Sequence, residues 1–185
     1  NAPLQFSNAI ANRKIVLYDT NNNDNQYYGF GINGGTLRYQ TDAIGADHVF
    51  FAGVNSTTSN ELMRIKGTGN VGIGTNNPTT KLEINGYTKL GSDAPAIRVI
   101  KLTGTTSNVQ NGTVTIPHGL NPAKILSATV LVEYFTNSFV PASYSRTGYE
   151  FDFYITGANI YIWNSAANSG SILSKPIKIM ITYEE

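Results

Sequence analysis

Glu150 and Asp152 are the residues of this chain best placed by type and spacing to do chemistry. They stand two apart in a segment that alternates with Phe151 and Phe153, so on a strand they share one face. With Glu133 they are the carboxylates from which a hydrolase acting on glycans would draw an acid and a base. The other reading is a solvated strand face opposite two core phenylalanines, and no second catalytic motif accompanies the pair. The expectation is therefore a protein that is not an enzyme. His48 and His118 are the only histidines, and neither has a His, Cys or carboxylate at metal-ligand spacing. His118 sits in Pro117-His118-Gly119 and reads as a turn residue. Asp19 to Asp24 fails as a calcium loop, because its sixth position is Asp24 instead of Gly and its twelfth is Phe30 instead of Glu. Gly72-Ile73-Gly74 leads to Asn77-Pro78 and not to a helix, so it is no phosphate loop. Zero cysteines remove disulfides and thiolate chemistry together. No catalytic residue, metal or cofactor is expected.

Binding is the chemistry that remains. The second half of the chain is crowded with Tyr134, Phe135, Phe139, Tyr144, Tyr149, Tyr154, Tyr161 and Trp163. Most read as core, since large aromatics dominate the interiors of β domains. Those in loops differ, because loops on a rigid scaffold commonly carry recognition. In and beside the connections Phe135 to Gly148 and Asn164 to Ser171, Tyr144 and Trp163 are expected to stack on a ligand. Arg146 and Asn164 are expected to hydrogen-bond it. Trp163 closes a strand and has a core role as its alternative. The loop as a whole could instead be folded on its own aromatic anchors.

The elements that must position these side chains are strands. Eleven Tyr, eight Phe and many Ile, Val and Thr favour β structure, and the Asn, Gly and Ser between them favour turns. No segment holds a helical period over three turns. Lys14 to Tyr18, Gln26 to Ile32, Thr36 to Gln40 and His48 to Val54 read as strands, with Asn33-Gly34-Gly35 as a hairpin turn. Glu61 to Lys66, Val71 to Thr75 and Lys81 to Asn85 follow. Gly72 and Gly74 occupy one whole face of their strand, a pattern that suits close approach of another backbone, as around the axis of intertwined chains. Gly86 to Pro95 breaks the alternation and reads as a linker. It divides an N-terminal domain, residues 1–90, from a C-terminal one, residues 91–185. In the latter, Ile97 to Leu102, Gly112 to Ile116, Ile125 to Tyr134, Tyr149 to Ile155, Asn159 to Trp163 and Lys175 to Tyr183 space as in a sandwich or barrel.

Charged residues are 14% of the chain and the formal net charge is +1, so no clustered basic face calls for nucleic acid or a membrane surface. No apolar run reaches 18 residues, so no membrane insertion is expected, and no signal peptide is visible. Asn1-Ala2-Pro3-Leu4 reads as the interior of a longer chain.

Gly69-Asn70-Val71-Gly72-Ile73-Gly74-Thr75, followed by Asn77-Pro78 and Lys81-Leu82-Glu83-Ile84, resembles the shaft segments of phage tail fibres and bacterial trimeric fibre adhesins. The resemblance covers roughly residues 47 to 85. Thr113 to Leu120 and Ile179 to Glu185 are similar to C-terminal tip domains of such fibres, and Phe139 to Pro141, Gly148 to Phe151 and Ile160 to Trp163 bear a fainter likeness to H-type lectin domains. The resemblance implies an all-β homotrimer: an N-terminal β shaft-like domain with an intertwined segment, then a C-terminal β-sandwich tip. It implies attachment to a host or prey cell by binding a surface glycan or protein. It also implies a location in a virion tail fibre or an extracellular cell-surface fibre. The alternatives are a purely structural fibre segment and a glycan-degrading enzyme.

Overall fold

The computed structural model describes residues 4–185; Asn1–Pro3, where the reading of a chain interior begins, lie outside the described residues. The described residues form fifteen strands and two short 3-10 turns, with no α-helix. The fold is all-β. No helix among the described residues is long and apolar enough to cross a membrane. The chain divides into two compact units, Asn1–Gly86 and Tyr87–Glu185.

The first unit holds two sheets. β1 (Ala11–Tyr18), β2 (Tyr28–Asn33) and β3 (Thr36–Gln40) form an antiparallel meander in that order. The turn at Gly34-Gly35 is the hairpin the sequence predicts, with Gly35 at φ 71°. Tyr27 lies buried along this sheet, its hydroxyl donating to the carbonyl of Asn12. Gly29 and Gly31 leave the room: a Cβ on Gly31 would fall 1.5 Å from the Asn12 oxygen. The polar loop that fails as a calcium site is closed internally. Arg13 pairs with Asp19 at 2.6 Å and Asp24 at 3.0 Å, and Asp19 and Asn23 accept from backbone N–H groups two and three residues on.

β4 (His48–Gly53), β5 (Ser59–Ile65), β6 (Val71–Ile73) and β7 (Leu82–Ile84) make the second sheet, antiparallel except for a parallel β6–β7 pair. The eight residues from Gly74 to Lys81 carry that crossover, short for a parallel connection, which commonly needs a dozen. Its turn folds back beneath the strands and buries Pro78. The glycine face is thereby explained within one chain. A Cβ on Gly72 would meet the Thr75 carbonyl at 2.5 Å and Pro78 Cδ at 3.3 Å. The backbone that comes close to Gly72 is the chain's own Thr75–Pro78 turn, which corrects the expectation that the glycines mark the approach of another chain.

The opposite face of this sheet is apolar and uncovered. The register aligns His48 with Ile65, Phe50 with Met63, Ile65 with Val71, Met63 with Ile73, Val71 with Leu82, and Ile73 with Ile84. In-register partners share a face, so all eight side chains stand together. Phe50 is 50% exposed, Ile73 41% and Leu82 58%. In the first sheet Ile15, Phe30, Ile32, Leu37 and Tyr39 are likewise exposed, with Phe30 and Tyr39 stacked at 5.0 Å. Tyr39 packs against His48 at 4.5 Å, joining the two apolar surfaces.

The second unit is different. β10 (Thr113–Pro117), β14 (Asn159–Asn164) and β13 (Phe151–Thr156) form one antiparallel sheet. β12 (Ser138–Pro141), β11 (Ile125–Phe135), β15 (Pro176–Glu184), β9 (Ala96–Thr105) and β8 (Thr88–Lys89) form another, in that spatial order. Both sheets contribute to one core. Ile116, Phe151, Ile160 and Ile162 come from the first, and Val130, Val132, Val140, Ile177, Ile179 and Ile181 from the second. Pro176 is tolerated in the central β15 because it is the first residue of the strand. Two sequence expectations are corrected here. The stretch Gly86 to Pro95 is not all linker, since β8 pairs with Ala96 and Ile97. The connection Phe135 to Gly148 is not all loop, since β12 returns along β11 through a turn in which Asn137 takes φ 59° and donates its N–H to Glu133.

Candidate functional site

The four predicted binding residues are dispersed. Trp163 lies on β14 directly across from Asp152 on β13, and both face solvent. A hollow of about 360 Å³ opens beside them, lined also by Ser143, Glu150 and Ser165. Tyr144 and Arg146 line a different and smaller hollow, about 130 Å³, with Phe139 and Tyr149. The Arg146 guanidinium lies 5.6 Å from the centre of the Tyr149 ring, which meets Tyr134 edge-on at 5.1 Å. The Arg146 end of the loop thus rests on an aromatic pair that lies just outside it.

Asn164 is not available to a ligand, and its assignment is corrected. It is 0% exposed. Its Nδ2 donates to the carbonyls of Ser107 at 3.1 Å and Val109 at 3.2 Å, tying the loop before β10 to the end of β14. The reason is the period of two: Ile160, Ile162 and Asn164 all point inward, so Trp163 points out.

The hollow is built by three short segments. Phe151 to Asp152 form its floor at the start of β13. Ser143 closes one side in a left-handed conformation, φ 59°, its N–H donating to Phe151 O at 3.0 Å and its Oγ to Asp152 Oδ1 at 2.7 Å. A left-handed conformation costs a non-glycine residue energy and persists only where its surroundings enforce it. The loop after β14 closes the other side. The Ser165 N–H donates to Glu150 O at 3.1 Å, the Glu150 N–H to Asn168 O at 2.8 Å, and Asn168 Nδ2 to Glu150 Oε2 at 3.1 Å. Buried Ser169 holds this loop by donating to Ser165 O at 2.6 Å.

Trp163 is 37% exposed, and its indole N–H donates to Asn111 Oδ1 at 3.1 Å. The ring is fixed in orientation and presents its apolar surface. On the same sheet face two residues along, Tyr161 stacks on Tyr154 at 5.0 Å with the rings nearly parallel. Tyr154 is 55% exposed, so this pair is a surface strip and not the core the sequence suggests. The bonds just named give each carboxylate a neutral donor, and no Lys or Arg lines the hollow. A carboxylate offers about four acceptor positions, so several remain for hydroxyl or amine donors.

His118 is buried in its turn, its Nδ1 accepting from the Leu120 N–H at 3.0 Å. Among the described residues no group of three or more His, Cys, Asp and Glu side chains is arranged to hold a metal. Compared with known proteins, the chain matches no family model, and no curated protein matches it.

Proposed function

We propose that this chain is part of a homotrimeric all-β fibre that attaches its bearer to a host or prey cell, binding a surface glycan or protein and carrying out no catalysis. In this reading the first unit is shaft, with an intertwined segment around Val71 to Ile84 that rests on the motif likeness and on the apolar face opposite the glycines, and the second is a β-sandwich receptor-binding tip. The fibre belongs to a phage tail or to an extracellular cell surface. One observation carries the proposal: the first unit exposes its apolar sheet faces. Among the described residues of that unit, Tyr27 is the only buried hydrophobic core residue. A unit of this size with so little interior cannot offset the conformational entropy of ordering its chain. Large contiguous apolar surface marks an interface, and copies of the same chain are its commonest occupant. Full burial stabilises by roughly 1.5–3 kcal/mol for each side chain of the Ile73 and Leu82 kind. Three chains follow from the Gly69-to-Ile84 motif and its likeness to trimeric fibres.

The attachment reading is supported by the hollow at Asp152 and Trp163, which a trimer repeats three times. Repetition converts weak single-site affinity into useful avidity without new contacts. The test is attachment itself: labelled protein should bind target cells saturably, and unlabelled protein should compete. Binding to none of a broad panel of cells would leave a structural fibre segment as the better account.

A further inference from the structure

We propose that the outer face of the β10–β14–β13 sheet, with the hollow at its Asp152–Trp163 end, is a saccharide site selective for neutral sugar rings. The inference rests on the attachment reading and names the ligand class of that site. A sugar ring has an apolar C–H face and an edge of hydroxyl donors. Trp163 offers a flat apolar surface whose orientation the Asn111 bond fixes, so little side-chain freedom is lost on stacking. Asp152 and Glu150 stand beside it as acceptors, each with lone pairs left after the bonds from Ser143 and Asn168. The hollow, about 360 Å³, lies in the ordinary range for small-molecule sites. Two residues along the strand, about 7 Å away, Tyr161 and Tyr154 continue the aromatic strip and would carry a second ring of an oligosaccharide.

Charge sets the selectivity. Two carboxylates without a cation in the lining repel sialic acid and other anionic sugars, and favour neutral ones. A neighbouring copy of the chain is a poorer occupant. Asp152 and the exposed Thr113 and Thr115 lie on this face, whereas the centres of obligate interfaces are depleted of charge.

Trp163 is the only tryptophan of the chain, so its fluorescence reports on this site alone. The full-length protein is titrated with the methyl glycosides of glucose, galactose, mannose, N-acetylglucosamine and N-acetylgalactosamine, and separately with sialic acid. A saturable change with at least one neutral glycoside and none with sialic acid is expected. Asp152→Asn should weaken that binding about tenfold or more, because it removes a charged acceptor, and leave the melting temperature unchanged. Glu150→Gln serves as the second variant should the first perturb folding. No saturable response to any neutral glycoside overturns the proposal. So does wild-type affinity in both variants, or a Trp163 that acrylamide cannot quench in the free protein. Cell attachment measured on the same preparations separates the two readings. Attachment without any saccharide response removes this site and leaves attachment to a protein receptor. Saccharide binding without attachment to any cell keeps the site and removes the attachment reading.

Discussion

Replacing Gly72 by Ala tests whether the glycine face of β6 (Val71–Ile73) is filled by its own chain. The new methyl would sit 2.5 Å from the Thr75 carbonyl oxygen and 3.2 Å from Thr75 Cγ2, with Pro78 Cδ at 3.3 Å. The first contact is with backbone, so it is relieved only by opening the turn that buries Pro78. Overpacking of this kind costs about 1–3 kcal/mol per chain. The loss of unfolded-state freedom on going from Gly to Ala returns roughly 0.4–1 kcal/mol. The net expectation is a destabilisation of about 1–2 kcal/mol per chain. Denaturant unfolding followed by circular dichroism, at one fixed chain concentration, measures it. The oligomeric mass at low denaturant should stay that of the wild type, because the clash is internal to each chain. A neutral or stabilising Gly72→Ala would refute the assignment of the Thr75–Pro78 turn as the neighbour. A folded but dissociated variant would do so too, and would return the glycine face to the interface between chains.

Two further outcomes follow from the geometry. Asn164→Ala should destabilise the second unit by about 1–3 kcal/mol, since it removes two buried side-chain hydrogen bonds, although Ser107 O and Val109 O keep the Ser174 and Gly112 N–H donors; saccharide binding, read from Trp163 fluorescence below the melting transition, should survive. In the first unit Arg64 on β5 bonds both Asp47 and Glu61. The Gly67 N–H and Arg64 hold the Asp47 carboxyl below its ordinary range, and Arg64 does the same for Glu61. A depressed carboxylate contributes stability that is fully present above its unfolded pKa and is lost as pH falls through the folded value. The first unit should therefore weaken as pH drops below about 4, and Arg64→Met should flatten that slope in melting curves taken from pH 6 to pH 3. Glu83, held low by the Thr79 N–H and hydroxyl, leaves a residual slope in the variant. An unchanged acid profile in the variant would remove the Arg64 cluster as its source.

Strands and the Gly34-Gly35 turn were legible in the sequence because alternation and turn chemistry are local signals. Two misreadings share one cause, which is that a partner cannot be read from a strand alone. The glycines at 72 and 74 announce a close neighbour, but not that the neighbour is the chain itself, the Thr75–Pro78 turn at Gly72 and Asn85 at Gly74. The aromatics Tyr154 and Tyr161 announce burial by type, yet their register places them opposite each other on the outer face. The fate of Asn164 was available: inward Ile160 and Ile162 put position 164 inward and Trp163 outward by the period of two. Glu150 and Asp152 stand out in the sequence as a carboxylate pair, but their link to Trp163 lies in the β13–β14 register. Tyr144 and Arg146 read as exposed loop residues, and nothing in the sequence shows that Arg146 settles over Tyr149.

The mass of the protein in solution bears most directly on the claim that the uncovered faces of the first unit are joined by copies of the same chain. Light scattering at micromolar chain concentration should give three times the 20.0 kDa chain mass, and should fall toward one chain when Phe50 and Ile73 are both changed to Lys. A wild-type protein that scatters as a single chain, with its first unit folded and melting cooperatively, would contradict the account.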